Sequence, residues 1–225
     1  MTDHAARWEE RFSRPGFMFG DAPNAFLRSQ AHLFAPVAAI PGARVLVPGD
    51  GEGRNGVWLA EQGLDVLSLD LAEAGMRKAR ALAAERGVQI EARQADLTRW
   101  AWPDAAFDAV VSVFVHLPPA ERQVVHAGMW RALRPGGLLV MEAFRPEQAA
   151  VQRRSPDGRG SGGPPDPALL FSAAVLRGDF PGAEWLLLEE TETILAEGTH
   201  HVGPAAVTRG VARRPHQPAA ELVPS

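Results

Sequence analysis

Residues 44–56 read Arg44-Val45-Leu46-Val47-Pro48-Gly49-Asp50-Gly51-Glu52-Gly53-Arg54-Asn55-Gly56. A short apolar run breaks into closely spaced glycines, which predicts a buried strand over 44–48 entering a tight turn. From Asn55 to Gln62 apolar side chains recur at Val57, Leu59 and Ala60, and Gly63 follows as the residue type that closes helix C-termini. The stretch is a strand-turn-helix unit. Glycines at such a turn let a ligand approach the backbone without interference from a Cβ.

The same unit repeats downstream. Asp65–Leu69 is a second strand-like run closed by Asp70, Glu73–Arg86 is a helical stretch rich in Ala, Arg, Glu and Leu, and a third strand is expected near 88–92 after Gly87. Phe107–Phe114 reads as a buried strand, Pro119–Leu133 as a helix with Pro in its first turn, and Leu138–Phe144 as a strand after the Pro135-Gly136-Gly137 turn. Alternation of this kind implies a parallel sheet with helices on both faces, joined by right-handed crossovers. Beyond Phe144 the pattern changes. Residues 145–167 are rich in Pro and Gly and read as a long loop, followed by a short helix near 168–177. Glu184–Leu195 and His201–Arg213 are β-rich runs joined by a link too short for a parallel crossover, so an antiparallel pair ends the sheet. The expected fold is α/β, a Rossmann-like, mainly parallel sheet of seven strands with a C-terminal antiparallel hairpin.

Composition narrows the chemistry. The chain has 225 residues, 46% of them hydrophobic, enough for a full core. With 23 basic and 27 acidic residues the net charge is -4, so no positive field is available to hold a nucleic acid or an anionic membrane, and a small-molecule partner is expected. The oligomeric state is not legible. The absence of Cys excludes disulfides, thiolate nucleophiles and Cys-ligated metals; the absence of Tyr excludes a Tyr-Lys hydride-transfer pair. Lys78 is the only lysine. No run approaches the length of a membrane span and the first ten residues lack the apolar core of a signal peptide, so a cytoplasmic protein is expected.

Gly51, Gly53 and Gly56 satisfy Gly-x-Gly-x-x-Gly, and Asp70 stands near the spacing of a ribose-binding acid. A plain tight turn is the alternative. Both S-adenosylmethionine and NAD place a ribose against an acid at the end of the second strand, where carboxylate oxygens accept from vicinal hydroxyls. Asp96-Leu97 after the third strand favours the former, because a carboxylate there can accept from an adenine amino group.

The ordered set resembles the class I S-adenosylmethionine-dependent methyltransferases, in particular the small tellurite-resistance and thiopurine-type enzymes. The resemblance runs from about Trp8 to Arg213. It rests on Phe19-Gly20-Asp21-Ala22-Pro23-Asn24-Ala25-Phe26-Leu27, on the turn and helix from Gly51 to Ala60, on Phe107-Asp108-Ala109-Val110-Val111-Ser112, and on Glu197-Gly198-Thr199-His200-His201-Val202-Gly203. It departs at Gly49-Asp50, where the family usually has a small residue and Cys, and at Phe19 and His200, where Tyr is frequent. Asp50 adds a negative charge beside the expected sulfonium position, where it either favours the cation or faces water.

The resemblance implies that Gly49, Asp50, Gly51, Gly53 and Asn55 line the methionine side of the cofactor, Asp70 holds the ribose, and Leu71 packs on adenine. Asp96 and Leu97 then read the adenine edge, Ser112 lies at the end of the fourth strand, and Phe19 and Asn24 belong to a lid that also contains Phe26. Core packing is the alternative for Phe19 and Phe26, and turn capping for Asp96. The implied organisation is one methyltransferase domain over 1–213, comprising lid and helix (1–43), cofactor-binding half (44–144) and acceptor-side loop and hairpin (145–213). A flexible tail follows over 214–225.

On the acceptor side His201, His116 and Arg145 are the candidates. His201 matches a family histidine, His116 closes the fourth strand where a packing role is the alternative, and Arg145 directly follows the fifth strand. The other loop arginines, Arg153, Arg154 and Arg159, read as solvated charge. Adjacent His200 and His201 point to opposite faces of a strand, so no metal site is expected. The sequence after the fourth strand lacks the Asn/Asp-Pro-Pro-aromatic pattern of nucleic-acid amino methylases. The expected reaction is methyl transfer from S-adenosylmethionine to a small nucleophile, a chalcogen oxyanion or thiol among the options. The alternatives are a nicotinamide-dependent oxidoreductase and a non-catalytic S-adenosylmethionine sensor.

Overall fold

The structure is a computed structural model that describes residues 3–154 and 160–216. Arg159 and residues 217–225 of the expected tail lie outside the described residues. Seven strands form one sheet: β1 (Arg44–Pro48), β2 (Asp65–Asp70), β3 (Glu91–Gln94), β4 (Phe107–Val113), β5 (Leu133–Phe144), β6 (Glu184–Glu197) and β7 (His201–Arg213). Their order is β3-β2-β1-β4-β5-β7-β6. The first five are parallel, and β7 inserts antiparallel between β5 and β6. The expected Rossmann-like sheet with its terminal hairpin is the fold observed.

The helices are α1 (Asp3–Phe12), α2 (Ala25–Ser29), α3 (Ala35–Ala38), α4 (Arg54–Glu61), α5 (Glu73–Glu85), α6 (Pro119–Ala132), α7 (Gln148–Arg154) and α8 (Ala173–Asp179). Alternate strand residues point to two separate cores, as the pleat requires. Leu46, Val110, Leu139 and Met141 pack with Val125, Met129, Leu176 and Phe180 on the α6 and α8 side, whereas Val45, Val47, Val111 and Val140 pack with Phe26, Leu27, Phe34 and Leu59 on the other. Central strands covered on both faces read as continuous apolar runs, which is why β1 and β4 stand out in the sequence.

Four elements differ from expectation. The third strand starts at Glu91, because helix α5 ends in a cap that consumes Gly87 and Val88: Gly87 sits at φ +70°, and the Val88 amide donates to Ala83 O at 3.0 Å. β5 begins at Leu133, which pairs with Phe107 across an irregular register before Leu138 resumes regular pairing with Ala109. The 145–167 segment holds helix α7, fixed by buried Gln148, which bonds Ser161, Gly162 O and the Ala206 amide. The helix near 168–177 begins instead at Ala173, where Ser172 caps Val175, after a 3₁₀ turn at Pro167–Leu169. Arg214 pairs with Gly136 and Gly137 through its backbone, so the chain keeps its pairing with β5 past the end of β7.

Candidate functional site

β2 and β4 flank β1, so the connections leaving the ends of β1 and β4 diverge and open a crevice at the switch point. Its floor is the glycine turn, with Gly49, Gly51 and Gly53 at φ +70°, +61° and +90°. The geometry admits no Cβ at Gly53, which would lie 2.4 Å from Ala79 Cβ, nor at Gly49, which would lie 2.5 Å from Val115 Cγ2.

Asp70, at the end of β2, accepts from the Gly51 amide at 2.8 Å and the Ala72 amide at 2.9 Å. The carboxylate offers about four lone-pair sites, so acceptor capacity remains for a ribose hydroxyl. Burial raises its pKa to about 6 against those amide bonds. The Ala95 amide donates to Asp70 O at 2.7 Å, which brings Asp96 beside Asp70. Asp96 Oδ1 takes the Thr98 amide and hydroxyl in a turn cap, while Oδ2 meets only Arg99 at 3.8 Å. Leu71 is half-buried beside them; Leu97 packs into the core and its carbonyl accepts from Trp102. Ser112 is buried in β4 opposite Met141. The donors and acceptors present thus fit an adenosyl group, with Asp70 at a diol and Asp96 Oδ2 at an amino edge.

Asp50 lies elsewhere. Its carboxylate takes the Ser68 hydroxyl at 2.7 Å and the Gly56 amide at 3.1 Å, joining β2 to the first turn of α4, and burial raises its pKa to about 7. The acid therefore ties down the glycine turn from within the protein and does not face water.

The leader lies over this crevice. Phe12 of α1 rests on Gly51, 3.1 Å from where a Cβ would stand, and packs with Trp8, Phe19, Ala72 and Ala74. Lys78, from α5, donates to Arg14 O, Gly16 O and Glu52, and Glu52 in turn accepts from the Met18 amide at 2.7 Å. Farther on, the leader meets the hairpin link backbone to backbone. A Cβ on Gly198 would come within 2.3 Å of Gly20 N, and the Thr199 amide donates to Met18 O. Phe26 faces the core, as its alternative reading had it, with the Arg209 guanidinium 4.9 Å above its ring.

Behind the leader a buried polar junction gathers residues from five elements. Asn24 caps α2 through the Leu27 amide, and its Nδ2 donates to Glu142 on β5 at 2.6 Å and to Glu197 on β6 at 3.0 Å. Asn55 Oδ1 accepts from the Asn24 amide. Arg209 on β7 pairs with Glu142 at 2.7 Å, and Arg54 on α4 pairs with Glu197 at the same distance. Burial pushes Glu142 up despite Arg209 and Asn24. At Glu197 burial acts upward too, but His201, Arg54 and the Ala25 amide outweigh it and bring the pKa to about 2.

His201 stands at the start of β7 among rings, 4.4 Å from Phe19, 4.5 Å from Phe114 and 5.5 Å from Phe144 between centroids. Phe114 is held at φ +55° just past β4, an uncommon conformation for an aromatic residue. Burial lowers the His201 pKa, and its Nδ1 is a buried nitrogen with no hydrogen-bond partner among the described residues. His200 is exposed and pairs with Thr199. His116 bonds through both nitrogens, Nδ1 to Leu169 O at 2.9 Å and Nε2 to the Phe144 amide at 3.3 Å. That makes it a neutral bracket, with a pKa that burial lowers to about 4. Arg145 contacts Glu147 and Glu190. The structure therefore brings Phe19, Asn24, Asn55 and His201 together and assigns His116 and Arg145 other partners.

Residues 45–137 match the family model described as a methyltransferase domain. A demethylmenaquinone methyltransferase of Thermus thermophilus is 33% identical over 105 residues, 46% of this chain and 48% of that one. The chain spans about half the length of the curated relatives it matches. Among solved structures, one reported for the conversion of a disulfide bond into a thioacetal group during echinomycin biosynthesis superposes with a TM-score of 0.72 at 22% identity, covering 97% of this chain and 94% of that one. TehB from Haemophilus influenzae superposes with a TM-score of 0.65 at 19% identity, over 92% of this chain and 67% of that one. The chain thus has the Rossmann-like fold of these structures, and its residues 45–137 are similar to a methyltransferase domain.

Proposed function

We propose that this chain transfers a methyl group from S-adenosylmethionine to a small soft nucleophile, a chalcogen oxyanion or a thiol. The observation that carries the reading is the glycine turn at the switch point with Asp70 bonded to it and Asp96 beside it, under a leader stitched to the hairpin. When bound, the cofactor supplies an electrophilic sulfonium methyl. The chain's residues hold and enclose it: Asp70 takes the ribose hydroxyls, Asp96 the adenine amino group, and Phe12 and Phe19 exclude water above the turn. His201 and the Phe114 and Phe144 rings then align the acceptor.

In-line displacement by a soft nucleophile needs alignment and desolvation more than a base. A neutral, buried His201 among aromatic rings suits that demand, because it presents a hydrogen bond without a competing charge. The reading places the protein in the cytoplasm, without a nucleic-acid or membrane partner.

Calorimetry with S-adenosylhomocysteine and NADH tests the cofactor. Binding of the first and not of the second is expected, and the reverse result refutes the reading. Asp70→Ala should weaken S-adenosylhomocysteine binding by about 1.5–3 kcal/mol, the range for hydrogen bonds to a charged group. Ionised Asp70 is the accepting form and its pKa is about 6, so wild-type affinity should fall as pH drops through that value. Single turnover with a labelled methyl donor over a panel of thiols and oxyanions identifies the acceptor; retention of the label by the protein in every case would mark a sensor.

A further inference from the structure

We propose that Glu197 is a positioning residue that couples docking of the leader to the placement of the His201 ring. The proposal rests on the reading above, in which the leader covers the cofactor and His201 faces the acceptor. One carboxylate touches three parts of the site. Its Oε1 accepts from Asn24 Nδ2 at 3.0 Å and from the Ala25 amide at 2.9 Å, both in the leader. Its Oε2 lies 2.7 Å from Arg54 and 3.9 Å from His201 Nδ1. Arg54 follows the glycine turn directly and also donates to Phe19 O at 3.2 Å, while the Phe19 ring packs on His201.

While the leader is docked, Glu197 Oε1 is hydrogen-bonded to the leader and Oε2 is ion-paired with Arg54, and His201 Nδ1 stays buried without a hydrogen-bond partner among the described residues. When the leader lifts, Oε1 loses Asn24 and Ala25 together, and Arg54 loses Phe19 O. The carboxylate then needs a shift of about 1 Å to hydrogen-bond His201, since such bonds form near 2.9 Å. The charged and titratable groups facing the ring are Glu197, Arg54, His200 and His116, with Glu142 joined to Glu197 through Asn24. Of these, Glu197 and Arg54 both bond the leader, and Glu197 is the hydrogen-bond acceptor beside the imidazole.

The test uses the full chain with ¹⁵N-labelled histidine and S-adenosylhomocysteine as the probe. In wild type, adding the probe should move the His201 ring signals and slow amide exchange at Ala25 and Leu27 about tenfold. In Glu197→Gln the probe should still bind, but the His201 signals should no longer follow. Asn24→Ala removes a leader donor while leaving Glu197 and His201 in place; its His201 signals should sit at the probe-free position even when the probe is bound. It carries the test should Glu197→Gln fail to fold. His201 signals that respond alike in wild type and both variants overturn the proposal. So does a wild type that binds the probe with no response at His201. A wild type that does not bind the probe refutes the cofactor reading itself, and this proposal with it.

Discussion

At the glycine turn the polar contacts close over short stretches of chain: Asp50 reaches Gly56 across 6 residues and Ser68 across 18, and Asp70 reaches Gly51 across 19. At the junction behind the leader, Asn24 reaches Glu142 across 118 residues and Glu197 across 173. The first arrangement is complete once one strand-helix-strand unit has formed. The second exists only when leader, sheet and hairpin have all come together. The glycine turn is thus built into a local unit, whereas the junction behind the leader depends on the assembled fold.

The sharpest way to break this contrast is to damage each region through a glycine or an acid and ask how far the effect spreads. Gly53→Ala should be the most costly. It forces a side chain into a left-handed position and against Ala79 on α5, for about 2–4 kcal/mol in urea unfolding. A loss near zero would mean that the turn is not the rigid seat described.

Asp50→Asn comes next. Burial raises the folded pKa to about 7 while the unfolded value stays near 3.8, so the acid binds more protons folded than unfolded, and stability falls as pH rises through 7. Between pH 6 and 8 that slope amounts to about 1.4 kcal/mol in wild type. The amide should remove this component, seen as a melting temperature that depends less on pH across that range in the variant than in wild type. Equal pH dependence would place a neutral-pH proton elsewhere.

Gly198→Ala should have the smallest effect on the core, below about 1 kcal/mol, because the leader can lift away from the added methyl. Its effect should appear as faster amide exchange over Met18–Leu27. A stability loss as large as that of Gly53→Ala would make the leader part of the core and erase the distinction between the two regions.

What the sequence discloses follows the same divide. The glycine turn, Asp70 and the order of strands are legible because local spacing encodes them. The pairs Arg54–Glu197 and Arg209–Glu142 are not, since their partners lie on different elements. Two traces were nonetheless present: Glu142 interrupts the apolar run 138–144, and Arg54 follows the glycines into a buried helix start. At His116 the packing alternative has the structural support. A histidine at a strand end suggests chemistry, but the backbone groups of Leu169 and Phe144 take both its nitrogens. Helix α7 was hidden by the Pro- and Gly-rich residues around it and owes its place to Gln148 bonding across to β7.

Lys78 gives one of these contacts a wider meaning. It is the only lysine of the chain, and its ammonium is spent on Arg14 O, Gly16 O and Glu52, the strap that holds the leader to the glycine turn. Acylation would remove the charge paired with Glu52, and any bulky adduct would displace the leader carbonyls. Among side chains, amine-directed chemistry therefore has a single address in this protein, and that address is the contact between the leader and the glycine turn.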